Sequence, residues 1–163
     1  MASMQPEKVG AELRQKVSTL LSGQGLGVLA TTDPDGHPYA SLIAIAANPD
    51  HTELYFVTPR ATRKFANLMH DNRVALLVNN SINEPADFHA AVAATILGKA
   101  RLLEEEKRSE KLSIYLEKHA YLKQFATSPS CAMFAVKITG VTMVQKFQSV
   151  SELSVDHALD KDR

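Results

Sequence analysis

The chain has 163 residues, of which 45% are hydrophobic, so it can form one domain with a substantial core. Its 18 Lys and Arg residues balance 18 Asp and Glu residues, and this zero formal charge disfavours a general nucleic-acid or membrane-surface binder. A single cysteine, Cys131, excludes an internal disulfide, and its apolar neighbours predict a buried, inert thiol. No signal peptide or membrane-spanning run is visible, so we expect a cytoplasmic protein without nucleic-acid or membrane partners.

The first half of the sequence predicts a helix, three strands and a second helix. Asp33-Pro34-Asp35-Gly36 is a strong turn signal between two apolar runs, which indicates a hairpin. Thr58 suits an N-cap, and Pro59 suits the first position of a helix. The predicted elements are a helix over residues 6–22, strands over 27–32, 37–47 and 52–57, and a helix from Thr58 to about His70 that buries Phe65, Leu68 and Met69.

The second half predicts mainly strands, with one longer helix. A polar loop that contains Pro85 precedes an Ala-rich run, for which Gly98 favours strand over helix. Thr139-Gly140 lies between two apolar runs, which indicates a closing hairpin. The predicted elements are a strand over 73–78, a loop over 79–88, a strand over 89–103, a helix over 104–119, a short helical piece over 120–127, strands over 131–138 and 141–147, and a polar, frayed segment over 149–163.

Short turns join most of these strands, which implies antiparallel pairing. Six or seven antiparallel strands in a small domain commonly close into a barrel, because closure removes exposed strand edges. The sequence therefore predicts a mainly β protein, a barrel with peripheral helices. We expect an N-terminal helix in residues 1–22 packed on a barrel in residues 23–148, followed by a polar C-terminal tail in residues 149–163.

The segment from Thr58 to Lys64 is a candidate binding site. It places two hydroxyls and three cations where a strand ends and a helix starts. Hydroxyls and free backbone N–H groups donate hydrogen bonds to phosphate, and the cations supply charge. Cations at a helix N-terminus oppose the helix dipole by roughly 0.3–1 kcal/mol each, and a bound anion would offset this cost. The segment could hold the phosphate of a cofactor, although its spacing is also typical of a solvated first turn.

The middle of the chain has a distinctive order of elements. A hairpin and a strand are followed by Thr-x-x-x-Thr-Arg-Lys at residues 58–64, then by a short helix, and then by Asp-Asn-Arg-Val-Ala-Leu-Leu at 71–77. This order, together with Leu-Gly-Lys-Ala at 97–100, resembles the pyridoxamine 5′-phosphate oxidase-like, FMN-binding split barrels over roughly residues 20–147. The resemblance implies a six- or seven-stranded antiparallel FMN-binding split barrel. It also implies a homodimer with FMN at the subunit interface.

The resemblance further implies which residues bind the cofactor. One strand of the family runs along the flavin ring, and a Ser/Thr-Arg-Lys segment grips the FMN phosphate. The matching residues are Ser41, Leu42, Ile43 and Ala44 on the strand, and Thr58, Thr62, Arg63 and Lys64 at the phosphate. Asn79 and Asn80 are further candidates, because their amides could reach the flavin edge or a substrate at a dimer interface. A plain polar turn explains these two residues equally well.

Family residues for vitamin B6 oxidation are missing. A basic residue of the family matches Ala46, a glutamine matches Ala93, and no Arg-x-His motif or Trp follows residue 147. We therefore expect FMN binding without pyridoxamine phosphate oxidation. The run from Gly27 to Leu42 is also similar to split-barrel haem-utilisation proteins. Those proteins depend on a C-terminal haem-ligating histidine, and His157 is the one histidine in that region.

These patterns predict a flavin-dependent oxidoreductase acting on a small molecule that the sequence does not identify. Haem binding or degradation is an alternative, and a non-enzymatic flavin carrier or sensor is another. No residue declares itself as a catalytic acid or base, although His89, beside the polar loop, is the best candidate. The six histidines show no His-x-His or His-x-x-x-His pair, so no metal site is expected.

Overall fold

An eight-stranded antiparallel sheet forms the centre of the protein, and its computed structural model describes residues 6–147 and 149–154. The strands are β1 (Leu26–Thr32), β2 (Pro38–Ala44), β3 (Ala46–Ala47), β4 (Glu53–Pro59), β5 (Arg73–Asn79), β6 (Val92–Leu102), β7 (Cys131–Gln145) and β8 (Ser149–Ser154). Their order is β2-β1-β5-β6-β7-β4-β3, and β8 pairs with β7. The predicted split-barrel class is confirmed. The strand predicted at residues 37–47 is divided, the last two predicted strands are joined, and β8 is additional.

Helices pack around this sheet. They are α1 (Pro6–Gly23), α2 (Arg63–His70), α3 (Asp87–Ala90), α4 (Glu105–Lys118) and α5 (Lys123–Ala126), with a 3-10 turn at Ala120–Leu122. On α1, Leu13, Val17 and Leu20 are at most 6% exposed, so the apolar spacing that predicts this helix also buries it. The predicted helices at residues 6–22 and 104–119 are confirmed within one residue at each end. No helix in the described part of the chain is long and apolar enough to cross a membrane.

The sheet curls round through the segment that joins β2 to β3. Ile45 separates these strands: its N–H donates to Gly25 O at 3.0 Å, and its carbonyl accepts from His119 Nε2 at 2.8 Å. Because β3 pairs with β4, β2 comes close to β4, but these two described strands do not pair with each other. We call this seam the β2–β4 gap. Inside the barrel, the rings of Phe56 and Phe134 stack with their centres 5.3 Å apart.

The predicted helix start at Thr58 is wrong. β4 continues through Pro59 in register with β7, and Thr58 is fully buried in this strand. The N-cap is Thr62, whose hydroxyl accepts from the Phe65 N–H at 3.3 Å. Either threonine suits a cap locally, and the pairing with β7 selects the second. Of the residues predicted to be buried on α2, Leu68 is buried, Phe65 is partly buried and Met69 is 58% exposed.

The predicted closing hairpin at Thr139-Gly140 is also wrong, because β7 passes through these residues without a break. β6 pairs along nearly the whole of β7, and Thr139 is an extra residue in a β-bulge opposite the step from Leu97 to Gly98. A Cβ atom at Gly98 would lie 2.5 Å from Val136 Cγ1, so only glycine permits this close approach.

Two further boundaries differ from the sequence prediction. The strand predicted at residues 89–103 begins at Val92, because residues 87–90 form α3. The polar tail predicted at residues 149–163 begins with β8, which pairs with β7 and is therefore not frayed. Lys146 and Phe147, between β7 and β8, have positive φ angles of 52° and 55°. The rest of that tail, including His157, lies outside the described residues.

Candidate functional site

The β2–β4 gap brings together the two segments predicted to bind the cofactor. Because β3 pairs antiparallel with β4, the preceding strand β2 runs back along β4, and its first residues lie near the end of β4. The Arg63 guanidinium carbon is 5.3 Å from the centre of the Tyr39 ring, so the first turn of α2 lies against the start of β2. The predicted phosphate segment at 58–64 and the predicted flavin segment at 41–44 therefore flank the same gap.

The predicted flavin segment presents its side chains to two sides of β2. Ser41 and Ile43 point into the barrel, whereas Leu42 and Ala44 point outward. The Ser41 hydroxyl oxygen is buried and has no hydrogen-bond partner among the described residues. Among the described strands, β2 pairs with β1 alone, so the backbone groups on its other edge face the gap. A polar ligand in the gap can therefore bond to this edge, whereas the Ser41 hydroxyl is covered in the ligand-free protein.

The two threonines of the phosphate segment hold its backbone in place. Thr62 Oγ1 donates to Pro59 O at 2.8 Å and accepts from the Phe65 N–H, as an N-cap does. Thr58 Oγ1 lies 3.1 Å from Thr62 Oγ1 and donates to it, since the Thr62 hydrogen is already used. Both hydroxyl hydrogens are thus used within the segment. The donors that remain for a phosphate are backbone N–H groups and cationic side chains.

The first turn of α2 carries two cations and no acidic residue. Arg63 is exposed, whereas Lys64 is half-buried, and burial lowers the pKa of the Lys64 ammonium group. Neither cation, nor the neighbouring Arg60, forms an ion pair with a described residue. The first N–H groups of a helix also have no partner within the helix. Positive charge and free donors therefore converge at one point, and this chemistry fits the phosphate of FMN.

Asn79 and Asn80 lie at the other end of the sheet from this turn. Ala30 of β1 pairs with Ala75 of β5, so Asn79, four residues further along β5, is remote from the Tyr39 end of the hairpin. Asn79 Oδ1 accepts from the Ser81 N–H at 3.0 Å, and Asn80 Oδ1 accepts from a backbone N–H of β6 at 2.7 Å. The structure therefore does not bring these amides to the gap within one protomer.

Other candidate residues lie away from the gap. His89 is exposed on α3, and Cys131 is buried on β7, as predicted for an inert thiol. Asp33, Asp35 and His37 present possible metal-ligand atoms within 4.8 Å of one another in the exposed turn between β1 and β2. Asp33 Oδ1 accepts from the N–H groups of the other two residues at 3.0 and 2.8 Å, so the turn itself accounts for this cluster.

Three residues at the gap escaped the sequence analysis. Asn67 is 2% exposed in the middle of α2, and its Nδ2 donates to Thr31 Oγ1 on β1 at 3.0 Å. Thr31 pairs across the hairpin with Tyr39, the residue under the Arg63 guanidinium. An asparagine next to Leu68, between the positions of Phe65 and Met69, is the one sequence signal that could have indicated a buried polar contact.

The outer face of β2, β1, β5 and β6 exposes four leucines, and we call this surface the open face. Leu26 is 52% exposed, Leu42 63%, Leu77 41% and Leu97 50%. Val28 lies directly between Leu42 and Leu77 in the sheet, so the leucines are neighbours rather than scattered. Contiguous exposed apolar patches of this kind mark interaction surfaces. Leu42 also belongs to the predicted flavin segment, so the open face reaches the gap.

Two concavities of the described chain lie away from the gap. A cavity of 590 Å³ lies between α1, β7 and β8, and no predicted cofactor residue lines it. A groove of 410 Å³ between α1 and the end of β6 includes Asn80 but no residue of the gap. Neither of these two concavities includes the β2–β4 gap.

The sequence that forms this fold and gap matches a known protein family. Residues 13–145 match the family profile described as pyridoxamine 5′-phosphate oxidase. The match includes the whole gap and the open face. No curated protein is significantly similar to the chain in sequence.

Solved structures share the fold at low sequence identity. A haem-binding protein from Mycobacterium smegmatis has a TM-score of 0.77 and 18% identity, over 93% of this chain and 60% of that one. General stress protein 26 from Bacillus anthracis has a TM-score of 0.66 and 18% identity, over 88% and 99% of the two chains. An FAD-binding protein from Mesorhizobium loti has a TM-score of 0.63 and 15% identity, over 79% and 90%. The chain thus spans about 60% of the length of the mycobacterial protein, and these similarities establish the fold alone.

Proposed function

The chain belongs to the pyridoxamine 5′-phosphate oxidase family, and on that basis we propose that it binds FMN non-covalently in the β2–β4 gap and acts as a flavin-dependent oxidoreductase on a small molecule. The observation that carries this proposal is the unpaired positive charge at the start of α2, beside an edge strand with a buried, unpartnered hydroxyl. FMN joins an anionic phosphate to a planar ring with a polar edge, so it complements both features.

Each group at the gap has a distinct role in this proposal. Arg63, Lys64 and the first N–H groups of α2 bind the phosphate, and Thr58 and Thr62 hold the backbone that presents them. The edge of β2 bonds to the polar side of the ring, and the Ser41 hydroxyl, which has no partner in the ligand-free protein, would turn toward the gap to join it. When bound, the flavin supplies the electron-transfer chemistry. The chain binds and orients it and excludes water from it.

We also propose a homodimer with FMN at its interface. A two-fold interface uses the same surface on both subunits, so the leucines of one open face would pack on those of the other. Because Leu42 lies on both the open face and the flavin segment, a second copy placed there would cover the gap from that side and supply a wall of the FMN site. Asn79 and Asn80, remote from the gap in their own protomer, would contribute only to the partner's site.

The substrate differs from pyridoxamine phosphate in this proposal. Ala46 is 2% exposed and Ala93 lies on β6, and neither methyl group can donate a hydrogen bond where the family enzyme uses a basic residue and a glutamine. The chain therefore lacks side chains that would select a phosphorylated vitamin, and a different small molecule would be oxidised or reduced.

The visible spectrum and an FMN titration of the purified protein test the cofactor. The wild type is expected to show a flavin spectrum and to release FMN, identified by mass, on denaturation. The double variant Arg63→Ala/Lys64→Ala should bind FMN at least about 100-fold more weakly, because hydrogen bonds to charged groups contribute about 1.5–3 kcal/mol each. Arg14→Ala/Lys16→Ala, which removes two exposed cations from α1, is the matched control. Equal FMN affinity in both double variants would overturn the assignment.

Ser41→Ala provides an independent test of the ring site. Removing a buried hydroxyl that lacks a partner should leave the stability of the free protein unchanged or slightly higher. If the hydroxyl bonds to the flavin, FMN affinity should fall several-fold in this variant, by about 0.5–1.5 kcal/mol.

Haem binding or degradation on the same barrel is the second candidate, favoured by the haem-binding neighbour from Mycobacterium smegmatis. Among the described histidines, His119 is buried with Nε2 bonded to Ile45 O, so it is a poor ligand. A Soret band on haem titration that is lost in His157→Ala or His89→Ala would support this candidate. Full FMN occupancy without turnover of reduced nicotinamide or reduced flavin would instead favour a flavin carrier or sensor.

A further inference from the structure

We infer that Asn67, Thr31 and Tyr39 position Arg63, and that they thereby set the preference of the site for a phosphorylated over an unphosphorylated flavin. This role, which rests on the proposed FMN site, belongs to residues that need not touch the cofactor. The four residues form a closed chain of contacts from α2 to β1, on to β2 and back to α2.

The contact between Asn67 and Thr31 attaches α2 to the sheet. Both residues are 2% exposed, and Asn67 Nδ2 donates to Thr31 Oγ1 at 3.0 Å. Among the described residues, it is the one hydrogen bond that joins two buried side chains. Without this partner, the buried amide of Asn67 would be unsatisfied, which would destabilise the folded protein. The bond therefore favours the helix orientation that preserves it.

The contact between Tyr39 and Arg63 attaches the same helix to the next strand. The guanidinium carbon is 5.3 Å from the ring centre, within the range of a cation–π interaction. Arg63 and Asn67 are four residues apart and so lie on the same face of α2. Two contacts on one helix face, to two adjacent strands, fix the rotation of α2 about its axis.

Thr31 connects the two contacts. It pairs with Tyr39 across the hairpin, and its Oγ1 also lies 3.5 Å from Tyr39 O. The positions of the Asn67 amide and the Tyr39 ring are therefore linked through two paired residues. As a result, the Arg63 side chain is held near the start of β2. The free N–H groups in the first turn of α2 keep a fixed orientation relative to this strand.

Fixed orientation matters for Arg63 because a long, flexible side chain loses rotamer freedom when it is immobilised on a ligand. Arg63 held on the Tyr39 ring has already lost part of that freedom. The resulting gain in affinity applies only to a ligand that carries a phosphate at this position. Riboflavin has the same ring without the phosphate, so its affinity should not depend on Tyr39.

The test compares the affinities of FMN and riboflavin in matched variants. Tyr39→Leu removes the ring, whereas Tyr39→Phe keeps it and removes only the hydroxyl. Tyr39→Leu should weaken FMN binding by about 2- to 5-fold, the range of an exposed cation–π contact, and leave riboflavin binding unchanged. Tyr39→Phe should bind both flavins as the wild type does. Equal loss for both flavins, or no loss for either, would overturn the role of Tyr39.

A double-variant cycle shows whether Tyr39 acts through Arg63. In an Arg63→Ala background, Tyr39→Leu should cause no further loss of FMN affinity. Thr31→Val, compared with Thr31→Ser, tests the other half of the contact chain, and only the valine variant should lower the FMN-to-riboflavin affinity ratio. Additive losses in the cycle, or equal ratios in the two Thr31 variants, would contradict the inference.

These outcomes differ from a failure of the FMN site itself. If the wild type binds no FMN, or if Arg63→Ala leaves FMN affinity unchanged, the proposed function fails. If Arg63→Ala weakens FMN binding and Tyr39→Leu does not, the site stands and the positioning role fails. The thermal midpoint of each variant without flavin identifies any loss that reflects unfolding.

Discussion

Lys64 gives the proposed phosphate site a defined dependence on pH. Burial favours the neutral amine and lowers its pKa below the ordinary value of 10.5. The unfolded chain thus binds the proton more tightly than the folded one. Without ligand, the contribution of Lys64 to stability therefore rises with pH between the lowered pKa and 10.5. A bound phosphate has the opposite preference, because it stabilises the ammonium form.

We therefore expect FMN affinity to fall as the pH rises through the lowered pKa of Lys64. Arginine keeps its charge throughout this range, so Lys64→Arg should remove the fall. The measurement is a series of FMN titrations from about pH 7 to pH 10, with riboflavin as the ligand that lacks a phosphate. The same pH dependence in Lys64→Arg, or in the riboflavin series, would show that another group is responsible.

At the scale of elements, β6 and β7 pack most closely at the bulge opposite Gly98. A Cβ atom at this position would lie 2.5 Å from Val136 Cγ1 and 2.6 Å from Lys137 O. Gly98→Ala should therefore destabilise the protein by about 1–3 kcal/mol, as other overpacking substitutions do. Gly140→Ala is the control, because its Cβ would meet nothing closer than Leu153 O at 3.8 Å. Urea unfolding of both variants measures the difference, and equal midpoints would refute the close approach.

The elements that the sequence predicted correctly are those whose patterns agree with their long-range packing. The α1 helix and the first hairpin combine apolar periodicity with clear end signals, and the structure confirms both. The errors occur where local chemistry allows two outcomes. Thr58-Pro59 suits a helix start and Thr139-Gly140 suits a turn, but pairing with neighbouring strands keeps both in strands. Such pairing partners are remote in sequence, so no local pattern reveals them.

The candidate site was predictable only in part. The cations of the Thr-Arg-Lys segment are visible in the sequence, and in the structure Arg63 lies against Tyr39 of β2, the strand predicted to line the same cofactor. The buried Asn67, the unpartnered Ser41 hydroxyl and the hydrogen bond from Thr58 to Thr62 depend on how α2 meets the sheet. That contact is set by the three-dimensional closure of the barrel. Residue spacing along the chain therefore does not encode it.

At the scale of the whole molecule, the open face would link assembly to cofactor binding in the proposed homodimer. In the proposed homodimer, Leu42 and Leu77 lie at the interface while each remains substantially exposed in the single protomer. Their replacement should therefore disturb association far more than folding. A charge placed there would also be desolvated on assembly, which opposes dimer formation strongly.

The double variant Leu42→Glu/Leu77→Glu should be a folded monomer and the wild type a dimer when both are measured by sedimentation equilibrium. Because the second copy would supply a wall of the gap, the monomer should also bind FMN at least about 10-fold more weakly. Tyr121→Glu, at an 80% exposed position on the 3-10 turn rather than on the sheet, should remain dimeric and bind FMN normally. A monomeric wild type with full FMN affinity would refute the shared site. A dimeric double variant would place the interface on another surface, whereas a monomeric variant with unchanged affinity would show that one protomer holds FMN by itself.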